Sequence, residues 1–182
     1  DVERIERLIT DYSQMLKDEA TLSRAKMEKI DLSNIVNSVV EDFNSDLSHS
    51  NKNIKISVNN SNLNGSKLNI LGVESKLEQI IANLLDNAVS FSPTNSKISI
   101  ICGIKQKNAQ LIIEDEGPGF NEKNIDKIFN RFYSNRPDKF GEHSGLGLNI
   151  VKNLVDLHGA TISASNNREQ KGANVEIIFP KI

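Results

Sequence analysis

The order in which helical and extended patterns follow one another limits the fold of this chain more than any other feature of its sequence. One-sided helical spacing of apolar residues covers residues 32–48, 73–91 and 146–158. Strand-like patterns cover residues 53–58, 67–71, 97–104, 109–115, 160–165 and 173–179, and a short extended piece is expected near "KIDL", ahead of the first of these helices. Because these helices and strands do not alternate regularly, we expect a two-layer α/β sandwich in which helices cover one face of a mixed sheet.

A long helix is predicted at the amino terminus, in residues 1–27, ahead of a domain that covers residues 28–182. Its apolar stripe, with steps of three and four residues, consists of Val2, Ile5, Ile9, Tyr12 and Leu16. A helix that lies on the following domain is one interpretation. The heptad-like spacing favours the other, a helix from a bundle whose remaining helices lie outside this chain.

The charge and composition exclude several classes of function. The formal net charge is −2, from 22 Lys and Arg against 24 Asp and Glu, so there is no cationic excess for nucleic acid. No apolar stretch approaches the roughly 20 residues that span a bilayer, and the charged first residues are unlike a secretory signal. We therefore expect a cytoplasmic segment. The single cysteine, Cys102, lies in an apolar run and is expected in the core.

Two asparagines interrupt the apolar pattern of the helix predicted at residues 73–91. Asn83 and Asn87 lie four residues apart, so their carboxamides can converge on one point. Amide oxygens are adequate ligands for a magnesium ion that is held mainly by phosphate oxygens. Capping or buried hydrogen bonding is the alternative interpretation of this pair.

Two glycine-containing segments are candidate ligand contacts. In "EDEGPGF" a strand ends at Asp115, and Gly117 and Gly119 allow a sharp turn that a flat ligand can approach. The carboxylate of Asp115 can accept a hydrogen bond from an exocyclic amine such as that of adenine. In "HSGLGLNIV", Gly145 and Gly147 precede an apolar helix whose unpaired amides and dipole favour an anion. Each segment also has an ordinary explanation, as a turn or as a helix entrance.

Residues 116–145 form a long segment with little periodicity, which is typical of a functional lid. Aromatic residues in this segment can pack on a core while basic residues reach phosphates. The aromatic ones are Phe129, Phe132 and Tyr133, and the basic ones are Arg131, Arg136 and Lys139. An amphipathic loop with solvated charges is the alternative.

The order of these motifs resembles the catalytic ATP-binding domain of sensor histidine kinases. An Asn-x-x-x-Asn helix, an Asp-x-Gly-x-Gly turn, an aromatic lid and a Gly-x-Gly-Leu helix entrance follow one another. That domain has the Bergerat-type ATP-binding fold shared with gyrase, Hsp90 and MutL. The opening helix is similar to the second helix of the dimerisation and phosphoacceptor hairpin. The phrases "RLITDYSQMLKDEATLSRA" and "RFYSNRPDKFGEHSGLGLNIVKNLV" are similar to the ChvG/ExoS branch of bacterial envelope sensors.

The resemblance implies a site for ATP and magnesium. It makes Asn87 the magnesium ligand with Asn83 beside it, and it makes Asp115 the residue that reads the adenine amino group. The base pocket is then shaped by Gly117, Gly119 and Phe91. The lid, at about residues 120–145, supplies Arg131 and Tyr133, and the phosphate-side loop is Gly145, Leu146, Gly147 and Leu148.

The resemblance also implies partners. The γ-phosphate passes to a histidine on a helix missing from this chain, and then to an aspartate of a response-regulator receiver domain. The full-length parent is expected to be a homodimer through the helical hairpin, on the cytoplasmic side of an inner membrane. Because His49, His143 and His158 do not fit the acceptor position, no catalytic residue is assigned here and no autophosphorylation is expected of this chain alone.

Two positions depart from the family pattern. Many relatives have a basic residue three after the second asparagine and an arginine after the Phe-Tyr pair, where this chain has Ser90 and Ser134. A non-catalytic, nucleotide-sensing module is therefore the alternative function. A gyrase-type ATPase fits less well, because the glutamate that orients water would occupy position 83, which is Asn.

Overall fold

A computed structural model of the chain describes residues 2–24, 26–121, 123, 125–130 and 147–182, with the side chains of 4, 15 and 18–24 outside that description. The described helices are α1 (Val2–Arg24), α2 (Leu32–Leu47), α3 (Glu74–Phe91) and α4 (Gly147–Leu157), with 3₁₀ helices at Ser61–Leu63 and Ile125–Phe129. The strands are β1 (Glu28–Asp31), β2 (Lys55–Asn59), β3 (Asn69–Gly72), β4 (Lys97–Lys105), β5 (Asn108–Glu114), β6 (Thr161–Asn166) and β7 (Ala173–Phe179). The helices and strands predicted from periodicity all have counterparts here.

Five strands form the main sheet, in the order β2-β4-β5-β7-β6. β2 runs parallel to β4, whereas the other three neighbouring pairs are antiparallel, so the sheet is mixed as predicted. β1 and β3 form a separate antiparallel pair. The sequence patterns predicted both as extended segments but contained nothing to assign them to a second sheet.

Helices cover one face of the main sheet. In β7, buried side chains alternate with partly exposed ones, and the buried set is Ala173, Val175, Ile177 and Phe179. Val175, Ile177 and Phe179 belong to one continuous core with residues of α3 and α4, including Leu77, Ile80, Ile81, Leu85, Val151, Leu154 and Val155. Each such aliphatic side chain contributes about 1.5–3 kcal/mol by its burial. The arrangement confirms the two-layer α/β sandwich.

Cys102 is a packing residue of this core, as predicted. It is fully buried on β4. Burial raises the pKa of its thiol to about 12, and the negative charge of Asp31 adds to the shift. Because the thiolate is the reactive form, this sulfur is not a nucleophile at neutral pH.

The apolar stripe of α1 remains exposed. α1 contacts α4, yet the exposed fractions of Val2, Ile5 and Ile9 are 70%, 56% and 61%. α1 therefore touches the following domain without burying its stripe there. Among the described helices, none combines the length and the apolar character that a membrane crossing requires.

His158 joins the end of α4 to the start of α3. Its Nδ1 lies 2.7 Å from the carbonyl oxygen of Leu154, and its Nε2 accepts a 3.2 Å hydrogen bond from the backbone N–H of Val73, the N-cap residue of α3. A neutral ring with its proton on Nδ1 satisfies both contacts. Burial lowers the pKa of His158, and the bond to Leu154 only partly opposes this. Gly159 follows with a φ of 68°, the left-handed conformation typical of the residue that ends a helix.

We expect the stability of the domain to fall as the pH is lowered through the usual range of histidine. The unfolded ring takes up a proton at about pH 6.5, whereas the folded ring resists it, so the free energy of unfolding decreases until the folded pKa is reached. His158→Gln keeps a donor and an acceptor without titrating. Urea unfolding at about pH 8 and about pH 5 should therefore show a smaller pH dependence in the variant than in the wild type. An equal dependence would assign the effect to another group.

Candidate functional site

Two of the predicted motifs lie at the same end of the main sheet. Strand register pairs Glu114, the last residue of β5, with Ser99 near the start of β4 and with Asn174 near the start of β7. α3 leads into the start of β4 through residues 92–96. The turn that begins at Asp115 and the carboxyl end of the asparagine-bearing helix are therefore neighbours.

Asp115 is a buried carboxylate held by backbone amides. It is 4% exposed, and its Oδ1 accepts hydrogen bonds of 2.9 Å from Gly117 N–H and 3.1 Å from Ala173 N–H. Its own N–H donates to the Ala173 carbonyl at 3.0 Å. These two amides fix the orientation of Oδ1, and a carboxylate offers about four acceptor positions in all. The direction of the side chain is fixed by the fold itself.

The turn after Asp115 is closed by Asn166, which sequence analysis did not single out. Its Oδ1 accepts a 2.7 Å bond from Phe120 N–H, and its Nδ2 donates a 3.0 Å bond to the Phe120 carbonyl. Gly119 has a φ of 77°, and a Cβ there would lie 2.6 Å from Asn166 Oδ1. Glycine at position 119 is thus required by the turn and by its contact with the end of β6. Gly117 is buried in the same turn.

The hairpin between β6 and β7 supports Asp115 from the other side. Gly172 has a φ of 139°, and a Cβ there would lie 1.8 Å from the Asp115 carbonyl oxygen. Asn167 donates through Nδ2 to that same oxygen at 3.2 Å and through its N–H to the Gly172 carbonyl at 2.9 Å. In the sequence, "NNREQKGAN" signals a polar turn between strands. Nothing in it indicates contact with a motif so distant along the chain.

Asn83 and Asn87 are both half-buried on α3. Neither side-chain amide forms a hydrogen bond with another described residue. Across the described ranges, no three His, Cys, Asp or Glu side chains lie close enough together to hold a metal ion. A magnesium ion at this helix would thus need ligands from a bound anion, to which one or two amide oxygens would add. The amide oxygens of Asn83 and Asn87 fit that role.

A lysine caps the carboxyl end of α3. Lys52 Nζ donates to the carbonyl oxygens of Val89 at 3.0 Å, Ser90 at 3.2 Å and Ser92 at 3.1 Å. A cation here complements the negative end of the helix dipole. Phe91, the last residue of the helix, is 8% exposed. Lys52 therefore brings to this helix end a positive charge that position 90 does not supply, and sequence analysis did not identify it.

The amino end of α4 lies beside the Asp115 turn. Phe120 packs with Ile128, Phe129 and Ala173 in a small buried cluster, and Leu148 contacts both this cluster and the main core. Gly147, the first residue of α4, is exposed. Other predicted site residues lie outside the described residues, namely Arg131, Tyr133, Gly145 and Leu146, together with Ser134, Arg136, Lys139 and His143.

One end of the sheet thus gathers a fixed carboxylate, two amides on α3 and the amino terminus of α4. The carboxylate can accept a hydrogen bond, the amides can ligate a hard cation, and the helix terminus favours an anion. Such a set suits a ligand with an amine at one end and anionic groups at the other.

Comparisons with known proteins point to one family. The family of histidine kinase-, DNA gyrase B- and HSP90-like ATPases matches residues 72–182. Sensor protein ChvG of Rhizobium meliloti (strain 1021) is 36% identical over 171 residues, which are 91% of this chain and 30% of ChvG. The chain therefore spans less than a third of that relative.

Two solved structures of histidine kinases are similar to this chain in fold. The mycobacterial sensor histidine kinase MprB is 26% identical, with a TM-score of 0.70 over 85% of this chain and 97% of MprB. Histidine kinase ThkA, solved in complex with response regulator protein TrrA, has a TM-score of 0.76 over 100% of this chain and 49% of ThkA. Its identity of 22% makes this a likeness of fold alone.

Gly172→Ala should destabilise the domain by about 3 kcal/mol or more, since its Cβ would overlap the Asp115 carbonyl oxygen and its backbone would be strained. Gly65→Ala is the matched control. Gly65 also has a positive φ, 79°, but a Cβ there meets no atom within 4 Å, so only backbone strain of about 1–2 kcal/mol is expected. Denaturant unfolding measures both losses, and equal values would contradict the close approach at Gly172.

Proposed function

Because this chain belongs to the family of histidine kinase-, DNA gyrase B- and HSP90-like ATPases, we propose that it binds ATP with magnesium as the catalytic domain of a sensor histidine kinase. The observation that carries the proposal is the buried Asp115, oriented by two backbone amides at the same end of the sheet as the carboxyl end of α3. The ATP γ-phosphate is donated to a histidine outside this sequence. A response-regulator aspartate then receives it.

The adenine base is assigned to the Asp115 turn. A carboxylate accepts a hydrogen bond from the 6-amino group of adenine, whereas guanine presents a carbonyl oxygen at that position. Gly119 allows the turn to approach the end of β6, Gly117 donates its N–H to Asp115, and Phe91 lies at the adjoining end of α3. Selection of adenine over guanine follows from this acceptor.

The metal and the phosphates are assigned to α3 and α4. Asn87, with Asn83 one turn before it, contributes an amide oxygen to a magnesium ion whose other ligands come from the phosphates. The amino end of α4, with Gly147 and Leu148, offers backbone amides to phosphate oxygens. Gly145, Leu146, Arg131 and Tyr133 complete the proposed site. When bound, magnesium neutralises charge that develops on the transferring group.

The phosphoacceptor is assigned to a histidine of the preceding helix in the parent protein. Transfer breaks the bond between the γ-phosphorus and the bridging oxygen, which leaves ADP, and forms a P–N bond at a neutral imidazole nitrogen. His158 is unsuited to this role because it is buried and both ring nitrogens are engaged. His49 is exposed beyond the end of α2.

The parent protein is proposed to be a homodimer on the cytoplasmic side of an inner membrane. The exposed stripe of α1 supports the dimer, because Val2, Ile5 and Ile9 need a partner surface. The response-regulator receiver domain is the second protein partner. ThkA is a neighbour in fold that was solved with such a regulator.

Ser90 favours one alternative, a module of the same fold that senses nucleotide without transferring phosphate. Ser90 is half-buried and carries no charge where many relatives have a basic residue. A hydrolytic ATPase has less support, since Asn83 cannot act as the base that activates water. Nucleotide affinity and phosphotransfer, measured separately, distinguish the sensing module from the kinase.

Asp115→Asn should weaken binding of a magnesium-bound, non-hydrolysable ATP analogue about tenfold or more. The amide oxygen can still accept from Gly117 and Ala173, so the turn is kept, but the charged acceptor for the adenine amine is lost. Asn87→Ala should weaken binding with magnesium present and have little effect without it. Isothermal titration calorimetry measures both variants.

Asp86→Ala is the control, because Asp86 is exposed and lies beside Asn87 on α3. Its affinity should match the wild type. Unchanged affinity in Asp115→Asn would remove the adenine assignment, and equal losses with and without magnesium in Asn87→Ala would remove the metal assignment.

We expect phosphotransfer from ATP when the helix that carries the phosphoacceptor histidine is supplied as a separate molecule. This chain, mixed with a separately produced helical hairpin that carries the phosphoacceptor histidine and with Mg-ATP, should yield acid-labile phosphohistidine on the hairpin. The chain alone should yield none. Nucleotide binding without any transfer, under conditions in which the intact parent protein transfers, would favour the sensing module.

A further inference from the structure

Asn149, in the first turn of α4, combines one specific hydrogen bond with one unsatisfied polar atom. Its Nδ2 donates to the carbonyl oxygen of Phe129 at 3.0 Å. Its Oδ1 is buried and finds no hydrogen-bond partner among the described residues. A buried acceptor without a partner is unfavourable for folding. The site residues assigned above do not include this asparagine.

The bond to Phe129 links α4 to the Asp115 turn through a short series of contacts. Phe129 ends the 3₁₀ helix at Ile125–Phe129 and is 6% exposed. It shares a buried cluster with Phe120, whose backbone is held on both sides by Asn166. Asn149 therefore anchors the amino end of α4 to the packed and hydrogen-bonded group that contains the turn after Asp115.

We propose that Asn149 is a positioning residue that sets the first turn of α4 at a fixed place relative to the Asp115 turn. The proposal rests on the nucleotide binding proposed above. One nucleotide must reach the carboxylate with its base and the α4 amides with its phosphates, so its affinity depends on the separation of these two elements. A tether that fixes this separation before binding reduces the ordering that the ligand must otherwise impose.

Substitution of Asn149 by leucine distinguishes the positioning role from a contribution to folding. Leu is close to Asn in size, and Asn149→Leu removes the tether and the unsatisfied oxygen together. The substitution removes one unpaired buried acceptor, Asn149 Oδ1, and leaves another, the carbonyl oxygen of Phe129, so the two effects on stability largely cancel. The variant should therefore melt close to the wild-type temperature, although its affinity for nucleotide is reduced.

Asn44 supplies the matched control. It also lies on a helix and donates through Nδ2 to a carbonyl oxygen, that of Ile56, at 3.0 Å. In contrast to Asn149, its Oδ1 is satisfied, by Ile56 N–H at 3.1 Å. Asn44→Leu breaks two good hydrogen bonds to β2, outside the proposed site. It should lower the melting temperature and leave nucleotide affinity unchanged.

The experiment measures melting temperature and calorimetric affinity for a magnesium-bound, non-hydrolysable ATP analogue in the wild type and both leucine variants. Asn149→Leu should raise Kd about threefold to tenfold, the range given by the net contribution of one hydrogen bond. An unchanged Kd would overturn the tether and leave the proposed function standing. A lower melting temperature in Asn149→Leu would show a structural role and also overturn it. A wild type that binds no nucleotide would overturn both proposals.

Discussion

The acceptance of two backbone hydrogen bonds by Asp115 Oδ1 is the interaction on which the rest of the site depends. One donor, Gly117, belongs to the turn that follows, and the other, Ala173, belongs to β7, so one carboxylate joins two strands and a turn. The close approach of Gly172 to the Asp115 carbonyl allows the hairpin to reach this turn. The backbone is thereby fixed from both sides, and the carboxylate direction is a property of the sheet rather than of a mobile loop.

Two polar side chains outside this turn hold the ends of the helices α3 and α4. Lys52 holds the carboxyl end of α3 through three carbonyl oxygens, and Asn149 holds the amino end of α4 through Phe129. The dipoles of the two helices present opposite charges here, the negative end of α3 and the positive end of α4. A cation on α3 and an anion at α4 suit that polarity.

Periodicity predicted the helices, the strands and the one-sided packing because burial follows directly from the alternation of apolar residues, as in β7. It did not separate β1 and β3 from the main sheet, since pairing depends on partners far away in sequence. The same limit applies to the site. Asp115, Gly119 and Asn87 stand in recognisable local patterns, whereas Lys52, Asn166 and Gly172 act on residues distant along the chain. The roles assigned to the former group remain predictions.

The hydrogen bonds of buried and half-buried polar side chains distinguish the residues that stabilise the fold from those of the candidate site. Asn44, Asn166 and His158 each use both a donor and an acceptor on backbone groups, so each contributes to the fold. Asn83 and Asn87 make no such bonds within the described part of the chain, and Asn149 makes only one. An amide that the fold leaves unsatisfied costs stability, and a sequence optimised for stability alone would replace it with an apolar residue. Asn83, Asn87 and Asn149 lie on the two helices that flank the Asp115 turn, whereas another buried amide oxygen without a partner, that of Asn60, lies at the N-cap of the 3₁₀ helix Ser61–Leu63. On α3 and α4, such amides are expected where binding a ligand, rather than folding alone, determines which residues stand there.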